Sequence, residues 1–221
     1  MFRKLITFLL PWSLRRRALN KWFGFEISPT AHIGLAWIFP TRLVMKDNAR
    51  IDHFTVAVNL DRIDMEKDAY IGRSNWITGF SKDADSAHFR HQAATRRPEL
   101  WLGESASVNK NHHLDCTNRL EIGKFSTIAG YNSQFLTHSI NVEENRQDST
   151  PISIGDYTFV GTNVVVLGGS RLPDHSVLGA KSLLNKAFED PWMLYAGVPA
   201  KALQPVPKTA KYFSRTEGFV I

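Results

Sequence analysis

His138 is the residue of this chain best placed to do chemistry. It follows Leu136-Thr137 and stands at the mouth of a polar, acidic stretch, 139–151, which holds Glu143, Glu144 and Asp148. An imidazole titrates near neutral pH, so it can take a proton from a group that is otherwise a poor nucleophile. The bland alternative is a loop histidine with a structural hydrogen bond. A second polar cluster lies upstream: Asn109, Asn111, His112, His113 and Asp115. Asp115 or His113 could orient His138 or hold a substrate hydroxyl; the cluster could equally be a hydrogen-bonded corner. A third set is cationic, Lys181, Lys186 and Lys201, suited to phosphates or simply to a solvated surface.

Something regular must bring these residues together, and the chain supplies it. Ile154, Val160, Val166, Leu172, Leu178 and Leu184 stand six apart, with glycine after three of them, at Gly155, Gly161 and Gly179. An amphipathic helix repeats at about 3.6 residues and a half-buried strand at about 2. A period of six fits a parallel β-helix, in which one aliphatic residue per hexad points into the coil. The stripe recurs upstream at Ile33, Phe39, Met45, Ile51, Ala57 and Ile63. The frame slips at 81–98 and 139–151, where a coil throws out a loop. Asp and Asn at Asp47-Asn48 and Asp68 suit tight, partly left-handed corners. The chain therefore reads as an all-β solenoid, a parallel β-helix with a helical cap over 1–27, coils over 28–188 and a C-terminal extension over 189–221. Tyr212, Phe213, Phe219 and Val220 predict a tail that docks back on the coils. Trp192 reads as packing, either over a ligand groove or to close the last coil.

Composition narrows the function. The chain has 221 residues and 43% hydrophobic residues, enough for one sizeable domain. Its single cysteine, Cys116, allows no intrachain disulfide and fits a reducing compartment. No run of about eighteen apolar residues could span a membrane. The net charge is +6, and residues 1–25 carry Arg3, Lys4, Arg15, Arg16, Arg17 and Lys21 without an acid. With Leu5, Phe8, Leu9, Trp12 and Trp22 interleaved, this segment reads as a basic amphipathic surface for an anionic membrane, or as a cap with its charges in water. Pro11 and the following arginines argue against a secretory signal. The basic residues form no nucleic-acid-binding module. These features predict a cytoplasmic protein, peripheral at the inner face of the membrane if the N-terminus binds lipid.

Three segments carry a family resemblance: Leu136-Thr137-His138-Ser139 with Pro151-Ile152-Ser153-Ile154-Gly155-Asp156, Phe159-Val160-Gly161-Thr162, and Leu178-Gly179-Ala180-Lys181-Ser182 with Ala196-Gly197-Val198-Pro199-Ala200-Lys201. Together they resemble the hexapeptide-repeat acyltransferases, and are most similar to sugar and polysaccharide O-acetyltransferases of the colanic-acid and galactoside type. The resemblance implies a left-handed coil of three hexads per turn and a homotrimer with active sites between subunits. It implies acetyl-CoA as co-substrate, no metal, and a sugar hydroxyl of a surface polysaccharide or its precursor as acceptor. By the same resemblance His138 is the general base. Asn109, Asn111, His113 and Asp115 serve the acceptor. Thr162 and Ala180 lie along the pantetheine, with Lys181, Asn185, Lys186 and Lys201 toward the nucleotide. The 81–98 loop, with His88, Arg90, His91, Arg96 and Arg97, would meet an anionic acceptor. The chain departs from the family pattern at Thr117, where galactoside-type members carry an aspartate, and at Lys181, where glycine is usual.

Three alternatives stand beside this reading. N-acyl transfer to an amino sugar would use the same base. A zinc hydratase of the γ-carbonic-anhydrase type needs three convergent histidines, whereas His112-His113 are adjacent and Glu143 stands where a third would be wanted. A non-catalytic β-helix scaffold would need neither His138 nor a coenzyme segment.

Overall fold

A computed structural model describes residues 2–84, 87–218 and 220. Two helices, α1 (Phe2–Leu9) and α2 (Trp12–Phe23), precede three long parallel sheets. Face A runs through Glu26–Ile27, Arg42–Met45, Arg62–Met65, Glu99–Leu102, Leu120–Ile122, Ile152–Ile154 and Arg171–Leu172. Face B runs from His32–Ile33 to Met193–Gly197, which the antiparallel strand Ala200–Pro205 closes. Face C runs from Trp37–Phe39 to Leu183–Leu184. The chain visits A, B and C in turn and stacks each visit on the last, which is a parallel β-helix. The C-terminal extension thus continues face B.

The downstream hexads sit one to a face. Ile154 stacks on Leu172, Val160 on Leu178 and Val166 on Leu184, each pair eighteen residues apart and almost wholly buried. Upstream the six-residue stripe is corrected. Ile38, not Phe39, stacks on Ala57, and Met65 rather than Ile63 takes the register of Met45. The physical reason is that these face A strands are four residues long with two inward positions, so Ile63 stacks on Leu43 and the turn lengthens to twenty residues.

From the second coil on, the corners between faces A and B hold a left-handed residue. Asn48, Asp68 and Ser105 hold φ of 58°, 59° and 55°, as their short polar side chains allow. Farther along, the same corner holds Phe125, Tyr157, His175 and Trp192, at φ of 54°, 54°, 56° and 62°. Bulky residues are costly there, by about 1–3 kcal/mol each. Their rings stack into one column with centroid distances of 4.9, 5.3 and 4.4 Å, and each such contact returns about 0.5–1.5 kcal/mol. Trp192 closes this column, with Phe213 of the tail edge-on at 5.2 Å.

The N-terminal helices cover the first coil. Gly24, at φ 68°, ends α2 with its N–H on the Asn20 carbonyl. Arg15 is buried and donates to the carbonyls of Gly34 and Ala36 at 2.8 and 2.6 Å. One of the basic residues read as solvated is therefore a plug for open backbone groups. Phe2, Leu5, Leu9 and Leu14 remain exposed beside Arg3, Arg16 and Arg17. Among the described residues no helix is long and apolar enough to cross a membrane.

Candidate active site

Both long insertions leave the coil at the corner between faces C and A. Segment 79–98 links Trp76–Thr78 to Glu99–Leu102, and segment 137–151 links Gln134–Leu136 to Ile152–Ile154. The coil between them carries the strand His113–Asp115. Leu114 points inward, so His113 and Asp115 project from the outer surface. Asp115 thus stands between the roots of the two insertions.

Segment 139–151 is an ordered hairpin: His138–Asn141 pairs antiparallel with Arg146–Ser149. His138 begins it, two residues past the end of the face C strand, and its Nδ1 lies 2.8 Å from Asp115 Oδ2. That carboxylate oxygen also accepts the Thr137 hydroxyl at 2.9 Å and the His138 backbone N–H at 3.0 Å. Asp115 Oδ1 accepts the Thr117 hydroxyl at 2.6 Å and the Thr117 N–H at 3.2 Å. Burial pushes the Asp115 carboxyl up, but the hydrogen bonds from His138, Thr117 and Thr137, with the neighbouring imidazole charge, outweigh it and leave the carboxyl below its ordinary value. An ionised carboxylate only accepts. In the neutral imidazole Nδ1 therefore carries the proton, and Nε2 keeps a lone pair. The His138 side chain is 32% exposed, so a substrate can reach it.

The 81–98 insertion roofs this pair. Phe80 and Phe89 stand edge-on to the imidazole at 5.8 and 6.0 Å. Arg96 donates to the carbonyls of Phe80 and Thr117 and lies 4.9 Å over the Phe89 ring. His91 meets Asp148 of the hairpin at 2.6 Å, and the Gln92 side chain bonds the backbone of Ser149 in both directions at 3.0 Å. Arg96 and His91 thus hold the roof in place. The roof was invisible in the sequence because its partners are 57 residues apart. Gly168 was missed for a similar reason. A Cβ there would stand 2.9 Å from the Thr137 carbonyl oxygen, so only glycine lets the next coil pass behind His138.

The remaining site residues divide between two corners. Asn109 and Asn111 lie at the corner between faces B and C, and Asn111 holds φ 56°. His113 shares the outer row with Asp115, about 7 Å earlier along the strand. Thr162 stacks between Tyr131 and Lys181 at the same corner as Asn109: its hydroxyl donates to the Tyr131 carbonyl at 3.2 Å and its carbonyl accepts the Lys181 N–H at 3.0 Å. Ala180 is exposed beside it. Asn185 and Lys186 follow the last face C strand, at the His138 end of that face and two coils beyond it. Lys201 lies in the closing hairpin of face B. Of Asn109, Asn111, His113 and Asp115, Asp115 alone hydrogen-bonds His138 among the described residues. Thr162 and Ala180 sit at the far end of face C, roughly 10 Å or more along the strand direction.

His112, at the corner, is 1% exposed. Its Nδ1 accepts the Ser133 N–H at 3.1 Å, and its buried Nε2 has no partner. Burial pushes this imidazole down to about 4. An unfolded chain would bind the proton near pH 6.5, so the unfolded state holds more protons between about 6.5 and 4. Stability is complete above that window and falls as the pH drops through it, by roughly 3 kcal/mol in all. Urea midpoints at about pH 7 and about pH 5 should show this loss in the wild type and less of it in His112→Gln. Equal losses in the two proteins would refute it. Among the described residues no three His, Cys, Asp or Glu side chains converge as a metal site.

No family model matches the chain. It is 26% identical over 121 residues to the candidate acetyltransferase YvoF of Bacillus subtilis (strain 168), a match covering 55% of this chain and 60% of that protein. It is 34% identical over 65 residues to the galactoside O-acetyltransferase of Escherichia coli (strain K12), covering 29% of this chain and 32% of the relative. The chain therefore spans less than two thirds of the length of either relative. The solved structure of the polysialic acid O-acetyltransferase OatWY superposes with a TM-score of 0.63 at 17% identity, covering 87% of this chain and 90% of that one. At that identity the likeness is one of fold. The chain thus shares the fold of that O-acetyltransferase, and over part of its length it is similar in sequence to proteins described as acetyltransferases.

Proposed function

We propose that this protein moves an acetyl group from acetyl-CoA to a sugar hydroxyl of a surface polysaccharide or its precursor. The observation that carries the reading is the buried Asp115 carboxylate bonded to Nδ1 of the accessible His138. Nε2 takes the hydroxyl proton as the oxygen attacks the thioester carbonyl. The tetrahedral intermediate collapses with loss of the coenzyme A thiolate, which recovers the proton from Nε2. No covalent enzyme intermediate is needed, since both substrates meet in one cleft. At the corner between faces B and C the exposed Ala180 and the Thr162 hydroxyl suit a thin pantetheine arm; Lys181 at that corner, and Lys186 and Lys201 elsewhere on the last coils, are exposed for phosphates.

The coil is left-handed in this reading and the protein a homotrimer, because one chain keeps base and coenzyme column apart. The exposed apolar residues of α1 and α2, among their arginines, support peripheral contact with an anionic membrane from the cytoplasmic side. Thiol release from acetyl-CoA should rise at least about tenfold with one member of a sugar panel over water. The acetylated product then shows an ester. An amide on an amino sugar would replace O-transfer by N-transfer, and no stimulation by any sugar would end the reading.

A further inference from the structure

Face B, across the prism from the corner that carries His138, holds a cleft of about 930 Å³. Its floor is a row of outward side chains in register on four successive coils: Arg50, Tyr70, Ser107 and Thr127. Asn48, Asp68 and Ser105 of the corner between faces A and B, with the tail, 216–218 and Val220, seated against Ser105, form its wall. This wall is built in. The Tyr212 hydroxyl donates to the Thr158 carbonyl at 2.7 Å, Phe213 is buried against His175 and Trp192, and Arg215 lies 3.9 Å over the Tyr212 ring and donates to the Phe125 carbonyl. A Cβ on Gly218 would stand 2.9 Å from Ser105 Cβ, so glycine lets the tail seat directly on the coil. A second groove, of about 310 Å³, shares Tyr70 and Asn109 with the first. It continues past Arg73 and Lys110 to Gly130, at the corner of the proposed coenzyme column.

We propose that this trench binds an oligosaccharide segment of the acceptor and leads it to the coenzyme corner. Its lining is chiefly hydroxyl and amide, from Ser105, Ser107, Thr127, Thr216, Asn48 and Asn109, with the half-buried Tyr70 ring among them. That suits a ligand with hydroxyls around its rim and apolar C–H faces. Arg50 is balanced by Asp68 and Glu217, so the larger cleft has no excess of cations to hold a nucleotide phosphate. The floor groups repeat once per coil, about 4.8 Å apart, so the row from Arg50 to Thr127 runs roughly 14 Å. A monosaccharide would use one rung; a chain of sugars uses the row.

The delivery half of this inference rests on the acetyl-transfer reading; the binding half does not. The test is a glycan microarray of bacterial surface oligosaccharides, probed with the full chain, Tyr70→Ala, Ser107→Trp and a chain ending at Arg215. Both substitutions and the truncation lie outside the coil core, and circular dichroism checks folding. The wild type should bind at least one neutral oligosaccharide, and the variants should bind it at least about tenfold more weakly. Thiol release with a monosaccharide acceptor should stay within about twofold in Tyr70→Ala and Ser107→Trp. No binding by the wild type, or binding undiminished in both point variants, overturns the proposal. Loss of sugar-dependent thiol release in the wild type, with array binding intact, overturns acetyl transfer instead.

Discussion

His138→Ala lowers acetyl-CoA turnover with the sugar acceptor by about 10²–10⁴, the usual contribution of a positioned general base. The KM for acetyl-CoA should change by no more than a few-fold, because the proposed pantetheine and phosphate groups lie elsewhere. The effect is kinetic: His138 is 32% exposed at the start of a hairpin, outside the aliphatic core, and its loss leaves the coil intact. Asp115→Asn gives a smaller fall. The carboxylate accepts from five donors, three on Oδ2 and two on Oδ1. An amide has one acceptor oxygen, so either the imidazole loses its tautomeric anchor or the threonines lose their partner. The pair is separated by its readouts. Asp115→Asn should also lower the denaturation midpoint, whereas His138→Ala should not. Turnover unchanged in His138→Ala would remove the base from this site.

The parts of the fold legible in the sequence are those in which each coil does the same thing. Between Ile154 and Leu184 every face takes one inward residue per visit, so the six-residue stripe survives. At Ile63 it fails, because a four-residue strand places two residues inward and the frame moves by two. The corner column of Phe125, Tyr157, His175 and Trp192 was beyond reach. Local preference favours Gly, Asn or Asp at positive φ, and only stacking with neighbours one coil away reconciles rings with that backbone. The site was legible to the same extent. His138 and Asp115 are 23 residues apart, close to one turn of the coil, so their meeting could be anticipated. The roof over them could not, because Arg96 binds backbone carbonyls and Gln92 binds Ser149 across a gap that no repeat spans. For the tail, Tyr212 and Phe213 dock as read, Val220 is exposed, and Phe219 lies outside the described residues.

Co-expressing His138→Ala with Ala180→Trp should restore about a quarter of wild-type turnover, although each variant alone is nearly inactive. The strand Val165–Leu167 and its face C neighbours separate the two groups. Thr162 and Ala180 lie at the corner before the face C strands, and His138 lies past the other end of that face. A thioester lying along the column of one chain would therefore be remote from that chain's own imidazole. In a ring of three, the imidazole of one subunit can meet the column of the next. In a randomly mixed ring, about one junction in four joins an intact His138 to an intact Ala180, and only those junctions turn over. If base and coenzyme instead met within one chain, every chain in the mixture would carry a defect and mixing would restore nothing. Differently tagged chains purified through both tags, in which only mixed rings remain and the expected fraction rises to about one third, separate the two cases when assayed by thiol release. A mixed oligomer that forms and stays inactive would place the whole reaction within one chain, and the Thr162–Ala180 corner would then have to give up its assignment as the coenzyme groove.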